Sequence, residues 1–144
     1  MANEIEKQRL IRQLNEAKRK CSVNTAEIDR LRQQRRKIED GIAKINDSRA
    51  AYRRESEDMQ QMTYSKKSEF SNTVTILNLL KGFQSFFEQI ECEDTEAMKK
   101  EIKELSDKKE EVIKRIDLLE RDNYQLNQLI QRLNREISKI EVEQ

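Results

Sequence analysis

The side chains most often used for covalent or metal chemistry are scarce in this sequence of 144 residues, which has two cysteines, Cys21 and Cys92, and no histidine. No thiol or hydroxyl can therefore be activated by a histidine base. A zinc site would need clustered cysteines or histidines, and the sequence has neither. Two thiols also do not make a disulfide framework. We expect no catalytic residue, no metal and no cofactor.

The surroundings of the two cysteines support the same expectation. Cys21 falls among regularly spaced apolar residues and is expected to be a small core residue. Cys92 lies between Glu91 and Glu93, whose negative charges disfavour the thiolate that reacts. With glycine only at positions 41 and 82, a phosphate-binding loop cannot form. The reactive residue types thus favour a binding or structural protein over an enzyme.

The charge balance argues against nucleic acid as a partner. The chain has 29 Lys and Arg against 28 Asp and Glu, whereas nucleic-acid binding depends on surplus positive charge. The densest basic run, 30–37, is interpreted as a solvated helix face balanced by acids of the other arm, with phosphate binding as the alternative. Residues 1–72 carry 17 basic and 12 acidic side chains, and residues 73–144 carry 12 and 16. The two halves would therefore attract one another if the chain folded back.

No segment predicts membrane insertion or independent export. The longest run without charge, Phe70–Leu80, has 11 residues, and a helix needs about 20 to cross a bilayer. The N-terminus lacks the apolar core of a signal peptide. We expect a cytoplasmic protein, whose export would require a partner.

Long helices must position these side chains, because apolar residues recur with the alternating three- and four-residue spacing of a coiled coil. The first arm is predicted over 4–63 and the second over 95–142. In the first arm, the d positions are Leu10, Ala17, Asn24, Leu31, Ile38, Ile45, Tyr52 and Met59, and the a positions are Leu14, Cys21, Ile28, Arg35, Ile42, Arg49 and Ser56. In the second arm, the d positions are Met98, Leu105, Val112, Leu119, Leu126, Leu133 and Ile140, and the a positions are Ile102, Lys109, Ile116, Asn123, Ile130 and Ile137. We call these a and d positions the seam.

The sequence predicts an all-α fold, with a single helical domain over 1–144 whose arms form a long antiparallel coiled-coil hairpin. A parallel homodimer would set Arg35 and Arg49 against their own copies, and the antiparallel hairpin avoids this repulsion. Facing residue numbers that sum to 147 place Asn24 opposite Asn123, whereas sums of 140 or 154 place Asn24 opposite isoleucine. Because a paired buried amide costs less than a lone one, we expect Asn24 and Asn123 to set the register.

Residues 64–94 are predicted to form the turn region, with a short apolar helix at about 72–90. Gly82 is interpreted as a kink or helix stop, and Glu91–Thr95 as a short acidic break. A two-helix tip cannot bury so many large side chains, so the segment either packs back on the hairpin as a third helix or offers an apolar surface to a partner or a second copy. The predicted partner-binding residues are Ile76, Leu79, Leu80, Phe83, Phe86, Phe87 and Ile90.

The order of a heptad arm, a middle with Leu80-Lys81-Gly82-Phe83, and a heptad arm with Leu118-Leu-Glu-Arg-Asp-Asn-Tyr-Gln-Leu126 resembles small helical-hairpin proteins of type VII secretion. More narrowly, it is similar to the coiled-coil partners encoded beside LXG toxins. Esx-type hairpins carry Trp-x-Gly at the turn; Leu80-Lys81-Gly82 takes that place here without the tryptophan. The resemblance implies a partner that binds the N-terminal helices of a toxin, keeps it soluble and helps present it for export.

Two hypotheses follow. The first is a helical adaptor or targeting chaperone for another helical protein. The second is a structural rod built from two or more copies, with the 76–90 segment buried between them.

Overall fold

The computed structural model describes residues 2–69 and 74–143, except for the side chains at positions 63, 64, 66–69, 74–77, 80, 87 and 90–92. Two long helices make up this part of the chain: α1, Ala2–Glu69, and α2, Val74–Glu143. They pack against each other and confirm the all-α helical hairpin. The helices are long because the sequence has no proline and only two glycines, the residues that most strongly destabilise a helix interior.

The helix ends differ from those predicted. The apolar segment is the first part of α2 and not a separate short helix, and the acidic stretch 91–95 continues the same helix. Neither glycine has a positive φ, so Gly82 is not a helix stop. Glu, Cys, Asp and Thr each cost a helix at most about 0.7 kcal/mol relative to alanine, and that is too little to end one. Similarly, α1 continues beyond position 63, to Glu69.

The chain divides into two compact units, and the first consists of Met1–Lys37 and Lys109–Gln144. Its core lies on the predicted seam. Burying one such leucine or isoleucine contributes about 1.5–3 kcal/mol. The buried apolar side chains of this unit are Leu10, Leu14, Ala17, Ile28, Leu31, Val112, Ile116 and Leu133. Around Leu10, Leu14 and Leu133 pack the partly buried Leu129, Ile130, Ile137 and Ile140.

Contacts between the helices in this unit show their direction and register. Lys7 Nζ lies 3.4 Å from Glu141 Oε1, and the Cys21 thiol donates to Asn127 Oδ1 over 3.6 Å. Both pairs sum to 148, and early residues meet late ones, as in an antiparallel pair. Sums of 140 or 154 would move the facing residue by about two helical turns, or roughly 10 Å. The register near 147 is therefore correct in this unit.

The second unit, Ile38–Lys108, has a thinner core among its described residues. Ile38 is its buried apolar residue and Ser56 its buried polar one. The other seam residues described here are half-buried or exposed. A Cβ on Gly41 would lie 3.7 Å from Leu105 Cδ1, so the helices approach closely there. Arg49 is half-buried, and its Nε is buried without a hydrogen-bond acceptor among the described residues.

Candidate partner-binding surface

Three apolar side chains near the start of α2 point into solvent. The exposed fractions of Leu79, Phe83 and Phe86 are 59%, 48% and 57%. They lie four and three residues apart and therefore share one face of the helix. We call them the outer stripe. The other four predicted partner-binding residues, Ile76, Leu80, Phe87 and Ile90, have side chains outside the described set.

The outer stripe is exposed because other residues of α2 occupy the seam. Counting back from Met98 by the same alternation of three and four places Thr95, Glu91, Glu88 and Gln84 on the seam. Thr95 and Gln84 are half-buried, Glu88 is exposed, and the Glu91 side chain lies outside the described set. Gln84 lines a groove together with Glu57, Gln60, Gln61 and Ser65 of α1. Gln84 is thus on the side of α2 that faces α1.

Among the described side chains, this end of the second unit therefore has an inverted polarity. Buried Ser56 and half-buried Gln60 and Gln84 lie toward the helix–helix contact, whereas Leu79 and Phe83 lie outside it. On α1, Met62 is also 60% exposed. Folding alone would favour the opposite arrangement, because it removes apolar surface from water. Contiguous exposed apolar side chains of this kind are typical of sites that bind another protein.

The two predicted register residues, Asn24 and Asn123, are both half-buried in the first unit. Their amides do not bond to each other. Asn24 Nδ2 donates to Asp122 Oδ2 over 2.7 Å, and Asn123 Nδ2 donates to Thr25 Oγ1 over 3.3 Å. Asn123 Oδ1 is buried without a partner among the described residues. Their role in setting the register remains a prediction.

Sequence reasoning missed the flanking residues that bond to these amides and to the Cys21 thiol. Thr25, Asp122 and Asn127 lie beside the seam and not on it, and each bonds to a seam residue of the other helix. The Thr25 hydroxyl also donates to the Cys21 carbonyl oxygen over 2.8 Å. Polar side chains next to seam positions were the available signal. Which of them reaches which amide depends on rotamers that the heptad pattern does not define.

The basic run 30–37 is partly neutralised by carboxylates. Arg30 donates to both carboxylate oxygens of Glu27, and these hydrogen bonds lower the pKa of that carboxyl and raise the pKa of Arg30. Arg32 lies 2.8 Å from Glu120 of α2 and 3.9 Å from Asp29. This pairing agrees with a solvated helix face.

Comparison with protein-family models, curated proteins and solved structures finds no match to this chain. Within the described residues, neither helix has a stretch long and apolar enough to span a membrane. In the same part of the chain, no group of three or more cysteine or acidic side chains is placed to hold a metal ion.

Proposed function

We propose that this chain is a non-enzymatic interaction protein that binds a helical partner through the outer stripe. The observation that carries the proposal is the inverted polarity of the described side chains at this end of the second unit, where Gln84 faces α1 while Leu79 and Phe83 face solvent. A partner helix with its own apolar stripe would cover these side chains in the way that coiled-coil helices cover each other.

In this proposal the chain acts as an adaptor or targeting chaperone. The type VII resemblance of the sequence suggests the partner: the N-terminal helical region of an LXG toxin. Binding would keep apolar toxin helices out of water until export, and the pair could leave the cell together. In the alternative, a homo-oligomeric rod or scaffold, a second copy covers the outer stripe.

Co-expression with the N-terminal region of an LXG toxin encoded beside the chain tests the proposal. We expect a stable complex that co-purifies, and we expect Leu79→Asp to abolish it without loss of helix content. Leu118→Asp is the matched control, because Leu118 is 57% exposed and Leu79 is 59% exposed. The control should leave the complex intact.

Light scattering at several concentrations measures the mass of the particles in solution and so distinguishes the adaptor from the homo-oligomeric rod. If the chain and the toxin region are each monodisperse and form no complex when mixed, the adaptor role is contradicted. A concentration-dependent dimer that Leu79→Asp dissolves would favour the homo-oligomeric rod.

A further inference from the structure

We infer that the partner of the outer stripe is a basic amphipathic helix, with an apolar stripe at one end and Lys or Arg side chains along the same face at the other. The inference rests on the proposed function and adds the chemistry of the partner. Its basis is a set of carboxylates that continue the face of α2 on which the outer stripe lies.

Four exposed carboxylates, Glu93, Asp94, Glu101 and Glu104, form what we call the acidic face. Glu93 follows Phe86 by seven residues and Asp94 follows Phe83 by eleven, which are close to two and three turns of 3.6 residues. Glu101 and Glu104 follow Phe83 and Phe86 by eighteen residues, or five turns. All four therefore lie on nearly the same side of α2 as the outer stripe.

The acidic face is not neutralised within the described part of the chain. No described cation forms an ion pair with any of its four carboxylates, although the nearby Glu96 pairs with Lys99 at 3.5 Å. Glu93 accepts one hydrogen bond, from Gln89 Nε2 over 3.4 Å. Exposed Lys100 follows Glu93 by seven residues and lies at the edge of this face, and Lys108, four residues beyond Glu104, ends the acidic stretch.

The combined surface from Leu79 to Glu104 is about 38 Å long at 1.5 Å per residue. A helix of about 25 residues would match it, with apolar side chains against the outer stripe and cations against the acidic face. A second copy fits poorly. Parallel copies would oppose like charges, and antiparallel copies along this whole face would set carboxylates against Leu79 and Phe83. Such mismatches are costly and exclude wrong partners.

Two synthetic peptides test the inference against the full-length chain. Both are helical, about 25 residues long, and carry the same leucine stripe in one half. In the other half, one has four lysines on the same face and the other has four glutamates. By fluorescence anisotropy, we expect the lysine peptide to bind at least about tenfold more tightly, since its cations would pair with the carboxylates that repel the glutamates of the other peptide. The difference should shrink at high salt.

Neutral variants of the chain locate the effect. We expect a variant that combines four neutral substitutions to bind the lysine peptide more weakly, with the affinity of the glutamate peptide. The substitutions are Glu93→Gln, Asp94→Asn, Glu101→Gln and Glu104→Gln. The matched control neutralises four exposed acids of the first unit through Glu16→Gln, Asp29→Asn, Glu110→Gln and Glu111→Gln. It should leave the preference unchanged.

The outcomes distinguish this inference from the proposed function. If both peptides bind equally and Leu79→Asp abolishes both, the basic character of the partner is wrong and the binding surface stands. If neither peptide binds, both claims fail for helical partners of this kind. If the chain forms a dimer that Leu79→Asp dissolves, the occupant is a second copy and the inference is overturned.

Discussion

At the scale of single residues, the seam amides show that a polar side chain at a heptad position can lower the stability of the fold. Asn123 donates to Thr25, but its carbonyl oxygen Oδ1 is buried without a partner among the described residues. An unsatisfied buried acceptor costs about 1–3 kcal/mol. Leucine or isoleucine would be cheaper at this position, which is why we expect the amide to serve the choice of register.

Asn123→Ile should therefore raise the free energy of unfolding by about 1–2 kcal/mol, because it removes the unsatisfied oxygen and adds apolar surface to the seam. Circular dichroism melts would show a melting temperature higher by a few degrees. The control is Asn134→Ile, the same change at an exposed position of α2, which should have little effect.

The same variant tests the register role. For Asn123→Ile, we expect a broader size distribution or a broader distribution of distances between spin labels on the two helices. A stabilised variant that keeps a single species and a single distance would contradict a register-setting role for Asn123.

At the scale of the two helices, the first unit joins α1 and α2 by an apolar seam with ion pairs along its edge. Arg32 and Glu120 illustrate the edge: their side chains are 51% and 48% exposed, and the atoms lie 2.8 Å apart. Exposed pairs of this kind contribute about 0–1 kcal/mol, because water and salt screen them. The apolar seam must therefore provide most of the stability, and the ion pairs mainly select which residues face each other.

Glu120→Lys should lower the free energy of unfolding by about 0.5–1 kcal/mol, since it places two cations side by side. Adding Arg32→Glu should recover much of this loss, because the two facing side chains then again carry opposite charges, with the signs exchanged between the helices. Denaturant unfolding of both single variants and the double variant measures the coupling as a double-mutant cycle. In about 1 M salt the coupling should fall toward zero. Strictly additive effects at low salt would contradict the contact.

At the scale of the whole molecule, the buried apolar side chains that the structure describes are distributed unequally between the units. Of the nine buried apolar residues in the described part of the chain, eight belong to the first unit and only Ile38 to the second. Segments with few buried apolar contacts open locally at a lower free-energy cost. The second unit also carries the outer stripe, so the binding surface lies on the unit with fewer buried apolar residues among those described.

Hydrogen exchange in the native state should reflect this difference. We expect the amides of 10–31 and 112–133 to exchange at least about tenfold more slowly than those of 42–60 and 95–105. Mass spectrometry of the unliganded chain measures both sets in one experiment. Equal protection of the two units would contradict the difference in packing. Added partner should slow exchange mainly around 79–104.

The fold was predictable because a heptad repeat is a local property of the sequence. Leu10, Leu31 and Leu133 could be assigned to the seam from their spacing, and the structure buries all three. The register near 147 followed from matching Asn24 with Asn123, and it is correct in the first unit although the two amides bond to neighbours instead of each other. Side-chain rotamers decide such partners, and spacing does not report them.

The candidate site was only partly predictable. Composition alone identified the apolar segment near Phe83, but it left open whether that segment packs against the hairpin or faces solvent. The predicted break at 91–95 was wrong because nothing there is unfavourable enough to stop a helix.

The sequence by itself indicated that the chain is helical and where its apolar seam lies, because both depend on the heptad spacing. It also favoured an antiparallel pair of helices, because Arg35 and Arg49 would face their own copies in a parallel homodimer. Only the tertiary structure decided which side of α2 faces α1 at its N-terminal end. That choice depends on the helical phase carried without interruption from the seam residues around Met98 back to Gln84, and it is this phase that turns Leu79 and Phe83 outward.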